Sequence, residues 1–184
     1  DAEDIALYAK HGVTAVHNPV SNMKLAGGRA IPYSEMKDAG VNVALGTDGA
    51  ASNNTLSIFK EMYLASLLVK GTTRDPGGRS ASQFLRMATV NGALYQGRTD
   101  TGVIKVGNKA DLVVLDFDRP HLTPCLDIPN LVVNSMHASD VVETWVDGKV
   151  VWKKSFKVSE VSGFQGFRGP DKKLFLEAVK RIGL

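Results

Sequence analysis

Val41-Asn-Val-Ala-Leu-Gly-Thr-Asp-Gly-Ala-Ala-Ser-Asn-Asn54 is the most informative segment of the chain for its architecture. Its first five residues, Val41 to Leu45, form a short apolar run, the pattern of a strand buried on both faces. Gly46 ends the run, and a loop rich in small and polar residues follows. Upstream, Thr14-Ala-Val-His17 is a second short run of the same kind, ending at Asn18-Pro19. Helical patterns flank both: residues 3–11 closed by Gly12, residues 33–39 closed by Gly40, residues 55–69, and residues 80–95 with Ser80 or Ser82 as a cap. The order helix, strand, helix, strand, helix, with glycines ending helices and polar loops following strands, is the grammar of parallel βα units. The expected class is α/β.

The texture changes near residue 100. Ala110-Asp-Leu-Val-Val-Leu-Asp116 reads as a strand. Val141 to Trp152 reads as a hairpin turning at Asp147-Gly148, with Trp145 and Trp152 expected on one face. His121 and Cys125 are expected only to pack in this β-rich unit. Residues 156–170, with several glycines and a proline, read as loop, and residues 171–182 as a closing helix.

The chain has 184 residues, a net charge of +3 and 43% hydrophobic residues, ordinary for a soluble globular protein. Its lysines are dispersed, which argues against a nucleic-acid face. No apolar run is long enough for a membrane helix. The single cysteine, Cys125, leaves no internal disulfide or paired-cysteine zinc site and fits a cytoplasmic location. The start, Asp1-Ala-Glu-Asp4, lacks an initiator methionine and a signal-peptide pattern, so the expectation is a piece of something longer.

Chemistry in a parallel α/β barrel sits on loops at the C-terminal ends of strands. Two loops match: His17 to Gly28, and Gly46 to Asn54. One reading makes them tight turns in which Asn, Asp and Ser bond their own backbone. The other makes them part of a site. His17 has no second histidine at metal-ligand spacing, since the others are His11, His121 and His137. Asp48 is the more suggestive residue, because it directly follows a strand and lies between Gly46 and Gly49, which let the backbone approach a ligand.

His17-Asn-Pro-Val-Ser-Asn-Met-Lys-Leu25, the Gly40 to Asn54 string, Phe59-Lys-Glu-Met62, Met87 to Ala93, Gly102 to Asp116 and Val146-Asp-Gly148 together resemble the amidohydrolase superfamily. Within it the chain looks like the deaminases of S-adenosylhomocysteine and methylthioadenosine, a group also labelled chlorohydrolases. The resemblance covers roughly residues 3 to 155. Ala26-Gly-Gly28 departs from the group's usual Ala-Ser-Gly, and Ser162 to Pro170 does not fit its tail.

The resemblance implies the C-terminal part of a metal-dependent (β/α)8 barrel plus part of a small β-sandwich. Thr14–His17 would be barrel strand 7 and Val41–Leu45 strand 8. Residues 1–100 would end the barrel, 101–155 would belong to the sandwich, and 156–184 would form the loop and closing helix. It implies hydrolytic deamination of an adenosine-type substrate assisted by one divalent metal, zinc before iron. Asp48 would be metal ligand and proton shuttle, with His17, Ser21 and Asn22 lining the substrate pocket. Other metal-binding histidines of the family have no counterpart here, so the isolated chain is expected to bind metal poorly and be inactive. Its partners would be a purine nucleoside-type small molecule and either the missing N-terminal barrel half or further copies of itself, not nucleic acid or membrane. The alternatives are a triazine- or guanine-type hydrolase of the same fold, or a non-catalytic assembly module.

Overall fold

The computed structural model describes residues 1–27 and 30–155. The expected loop over 156–170, the helix over 171–182 and Gly28 lie outside the described residues.

Helix α1 (Ala2–Lys10) starts at a capping box, in which the Asp1 carboxylate accepts the Glu3 and Asp4 N–H groups. It ends before Gly12, whose φ of +62° breaks the helix cheaply. Strand β1 (Thr14–His17) follows, then α2 (Pro19–Lys24), α3 (Tyr33–Asp38) and strand β2 (Asn42–Leu45). β1 and β2 pair in parallel from Thr14↔Asn42 to His17↔Leu45. The loops after both strands therefore start side by side.

β2 is buried as expected, with Val43 and Ala44 each 1% exposed. β1 is not: Val16 is 40% exposed, because among the described residues only β2 pairs with it. The far side of β2 is closed by a side chain rather than a strand. Asn91 donates its amide to the Val43 carbonyl at 2.8 Å, and Asn42 donates to the Asn91 carbonyl at 3.1 Å.

Three short helices interrupt stretches read as loop or strand: α2, α4 (Ala50–Asn53) and, further on, α8 (Ile128–Asn134). The first two are too short for a periodic signal to be seen in the sequence. Helix α5 (Ile58–Thr73) runs past its expected end, through Gly71 to Arg74 at φ +54°. The single helix expected over 80–95 is two, α6 (Ala81–Met87) and α7 (Val90–Tyr95). The break falls at Thr89, whose hydroxyl bonds back to the Leu85 carbonyl at 2.8 Å. The resulting turn is what lets Asn91 reach β2.

One apolar core joins these elements: Tyr33 and Met36 from α3, Val41 and Val43, Met62, Ala65 and Val69 from α5, Phe84 and Met87 from α6. Phe84 is fully buried, its ring 5.7 Å from that of Tyr33. Removing such a side chain from water contributes about 1.5–3 kcal/mol. Leu122 in a 3-10 turn (Pro120–Leu122), Val132 and Val133 of α8, and Met136 enter the same core.

Strands β3 (Leu112–Leu115), β4 (Val141–Val146) and β5 (Lys149–Lys153) form an antiparallel sheet in the order β3-β4-β5. The Asp147-Gly148 turn has φ of +51° and +76°, as a type I′ hairpin requires. The two tryptophans are not the cross-strand pair expected. Trp152 opposes Thr144 and Trp145 opposes Val150, with a register shift between them. His121 does more than pack: its Nε2 lies 2.9 Å from Asp140 Oδ2 and its ring stacks on His137. Cys125 is exposed rather than packed, in the connection between the 3-10 turn and α8. Among the described residues, no helix is long and apolar enough to cross a membrane.

Candidate active site

Asp48 stands three residues beyond the end of β2 with φ +59°, a left-handed conformation that aspartate tolerates better than most side chains. Its two oxygens have separate partners. Oδ1 accepts the N–H of Gly49 at 2.7 Å, and Oδ2 accepts the hydroxyl of Ser21 at 2.7 Å. The Ser21 hydroxyl, then the Gly49 N–H, hold the Asp48 carboxyl below the usual carboxylate range, so it is ionised at neutral pH. The Asp48 residue is exposed to solvent, whereas Ser21 is 1% exposed.

Ser21 is the third residue of α2, and Pro19 at its first position suits a helix start. The sequence-predicted residues therefore separate into two kinds. Ser21 and Asp48, 27 positions apart, meet directly. His17, at the end of β1, is 3% exposed, and its Nδ1 has no hydrogen-bond partner among the described residues. Burial pushes its pKa down to about 4, so the ring is neutral. Asn22 contributes backbone: its carbonyl accepts the Gly27 N–H at 2.8 Å and closes the turn after α2.

Gly46 is required by crowding rather than by φ. A Cβ there would overlap the Asn18 side-chain oxygen and come to 3.0 Å from Val16 Cγ1. The two loops approach that closely, with the Gly46 N–H on the His17 carbonyl at 2.9 Å.

Two residues not singled out as site residues from the sequence build the floor. Asn53, at the end of α4, donates its amide to the Thr47 carbonyl and to Glu61 Oε1, each at 2.6 Å. Glu61, in the first turn of α5 and 0% exposed, accepts the Val20 N–H on Oε2 at 3.0 Å. Burial raises its pKa, against the hydrogen bonds from Val20 and Asn53. The only trace of this role in the sequence was a glutamate and an asparagine inside matching strings. Their partners lie 41 and 8 positions away and could not be read from spacing. Lys24 spans from α2 to the Asn54 side-chain carbonyl at the far end of α4. Among the described residues, no three His, Cys, Asp or Glu side chains gather as a metal-binding cluster.

The amidohydrolase family profile matches residues 1–151. Among similar proteins, the 5'-deoxyadenosine deaminase of Methanosarcina mazei is 53% identical over 148 residues, 80% of this chain and 34% of that protein. The 5-methylthioadenosine/S-adenosylhomocysteine deaminase of Thermococcus onnurineus is 50% identical over 151 residues, 82% of this chain and 35% of that protein. Among solved structures, an adenosine deaminase from Xanthomonas campestris with bound zinc superposes with a TM-score of 0.80 at 31% identity, covering 100% of this chain and 40% of that one. An atrazine chlorohydrolase from Arthrobacter aurescens, complexed with zinc, superposes with a TM-score of 0.78 at 25% identity, covering 99% of this chain and 38% of that one. The chain thus spans about a third of the length of the curated relatives it matches. On a match that runs through nearly all the described residues, the chain belongs to the amidohydrolase family.

Proposed function

We propose that this chain is the Asp48-bearing part of a metal-dependent hydrolase that deaminates adenosine-type substrates, with β1 and β2 as the seventh and eighth strands of its barrel. The observation that carries the reading is the Ser21–Asp48 contact. It puts an ionised carboxylate at the C-terminal end of one parallel strand and anchors it to the loop of the strand beside it. That is where a barrel enzyme keeps its chemistry.

The donor set fits one ligand of a metal and no more. Asp48 is anionic and open to a ligand, but a catalytic zinc takes about three protein ligands, and the described residues gather no such group. The remaining ligands would come from the rest of a longer protein or from a partner copy. Zinc is the metal favoured, on the strength of the two zinc-bound relatives. When bound, it would supply Lewis-acid activation of water. Asp48 would take the proton from the attacking water and return it to the departing amine, with ammonia as the leaving group. Ser21 would keep that carboxylate ionised and aimed. His17 and Asn22 would border the substrate. Residues 1–100 would complete the barrel and 101–155 would belong to the small sandwich.

The test is deamination by the full-length protein of 5'-deoxyadenosine, methylthioadenosine and S-adenosylhomocysteine, read as ammonia release, with a triazine substrate alongside. Asp48→Asn should lower kcat by roughly 100-fold or more. Unchanged turnover in that variant refutes the reading. Turnover of the triazine alone would move the assignment to the triazine hydrolases, which the lower identity to the chlorohydrolase, 25% against 53%, disfavours.

A further inference from the structure

We infer that Glu61 is a positioning residue for this reaction: its buried carboxylate ties α2 to α4 and so sets the Ser21–Asp48 contact. The inference rests on the reading of Asp48 just given.

The connections form one path. Helix α2 has no side-chain cap of its own, since Asn18 at its N-cap makes no such bond. Glu61 supplies the missing acceptor from another helix, taking the Val20 N–H at 3.0 Å. Ser21 is the next residue along. The other oxygen of Glu61 holds the Asn53 amide, which also holds the Thr47 carbonyl beside Asp48. One side chain thus fixes the backbone next to Ser21 and, through Asn53, the backbone next to Asp48.

The chemistry requires a carboxylate. Both partners of Glu61 are N–H donors. An ionised carboxylate accepts on both oxygens, whereas an amide of the same shape must turn an NH2 toward one donor. A buried carboxylate held by two neutral donors is costly unless both bonds are made. Its job is not metal binding, because it is wholly enclosed and committed to the bracket.

The test is a double-mutant cycle in the full-length enzyme, with 5'-deoxyadenosine as substrate: Glu61→Gln, Ser21→Ala and the pair, with Asp48→Asn as reference. Glu61→Gln should lower kcat by about 10- to 100-fold with KM little changed, as expected for a misplaced reacting group. In the Ser21→Ala background the same change should cost far less, since the contact it serves is already gone. A part that only stabilises the fold would lower the melting temperature, leave kcat per folded molecule intact and act independently of Ser21. That result, or full additivity, overturns the inference while Asp48→Asn remains inactive. An active Asp48→Asn removes the functional reading and the inference with it. Should Glu61→Gln not fold, Asn53→Ala cuts one arm of the bracket. Coupling to Ser21→Ala then supports the inference, and additivity refutes it.

Discussion

Replacing Gly46 by alanine tests how closely the two site loops are packed. The added Cβ would sit 3.0 Å from Val16 Cγ1 and closer still to the Asn18 side-chain oxygen. Ordinary carbon contacts lie near 3.5–4 Å. Both contacts are with side chains, the amide end of Asn18 and a methyl of β-branched Val16 in β1, so relief requires a rotamer change or a small shift at one or both. Backbone φ is not at issue, as Gly46 is outside the left-handed region. The cost is therefore that of inserting a methyl into filled space, about 1–3 kcal/mol. For a unit of this size each kcal/mol moves the midpoint by about 2–4 °C, so thermal unfolding of Gly46→Ala should begin a few to roughly 10 °C lower. Asn18 offers a clean control. Its side chain caps nothing, and its Oδ1 is buried without a partner among the described residues. Asn18→Ala should thus be nearly neutral alone and should recover most of the loss in the double variant. If Gly46→Ala is silent, or if its cost is the same with Ala at 18, the close approach of the loops is not what keeps glycine at 46.

Two further expectations concern pH. His17 is neutral in the folded protein because burial pushes its pKa from 6.5 to about 4. The unfolded chain then binds more protons than the folded one between those values. The stability this difference protects, about 3 kcal/mol at most, is complete above pH 6.5 and declines as pH falls toward 4. Ring resonances of His17 should titrate near 4 by NMR, and His17→Gln should flatten that part of the stability curve; a midpoint near 6.5 would contradict the burial. For Asp140, burial alone would raise the pKa, but the His137 N–H and the His121 ring outweigh it and lower it from 3.8. Its contribution is therefore present above about pH 4 and lost as pH falls through the lowered value. Asp140→Ala should cost about 1–3 kcal/mol at pH 7, and the gap in melting temperature should persist to pH 4 and narrow only as pH falls below the ordinary aspartate value of 3.8.

Much of this protein was legible from residues alone. The apolar runs at Thr14–His17 and Val41–Leu45, the glycines that end helices, and Asp147-Gly148 act locally, so each element followed from its own few residues, to within one residue at the start of β2. Asp48 was visible for the same reason, standing between glycines just past a strand. Elements that depend on distant partners were not. α2 is capped by a glutamate 41 positions away, the break at Thr89 matters because Asn91 reaches β2, and Leu122, Val132, Val133 and Met136 joined the helical core although they lie among β-patterned stretches. The α/β alternation and the placing of a carboxylate after a given strand are written in neighbouring residues, because short-range sterics and backbone conformation decide them. The bonds from Ser21 to Asp48, from Val20 and Asn53 to Glu61, and from Asn91 to β2 emerge only on folding, because a hydrogen bond between remote residues exists only once the chain has brought donor and acceptor to within about 3 Å.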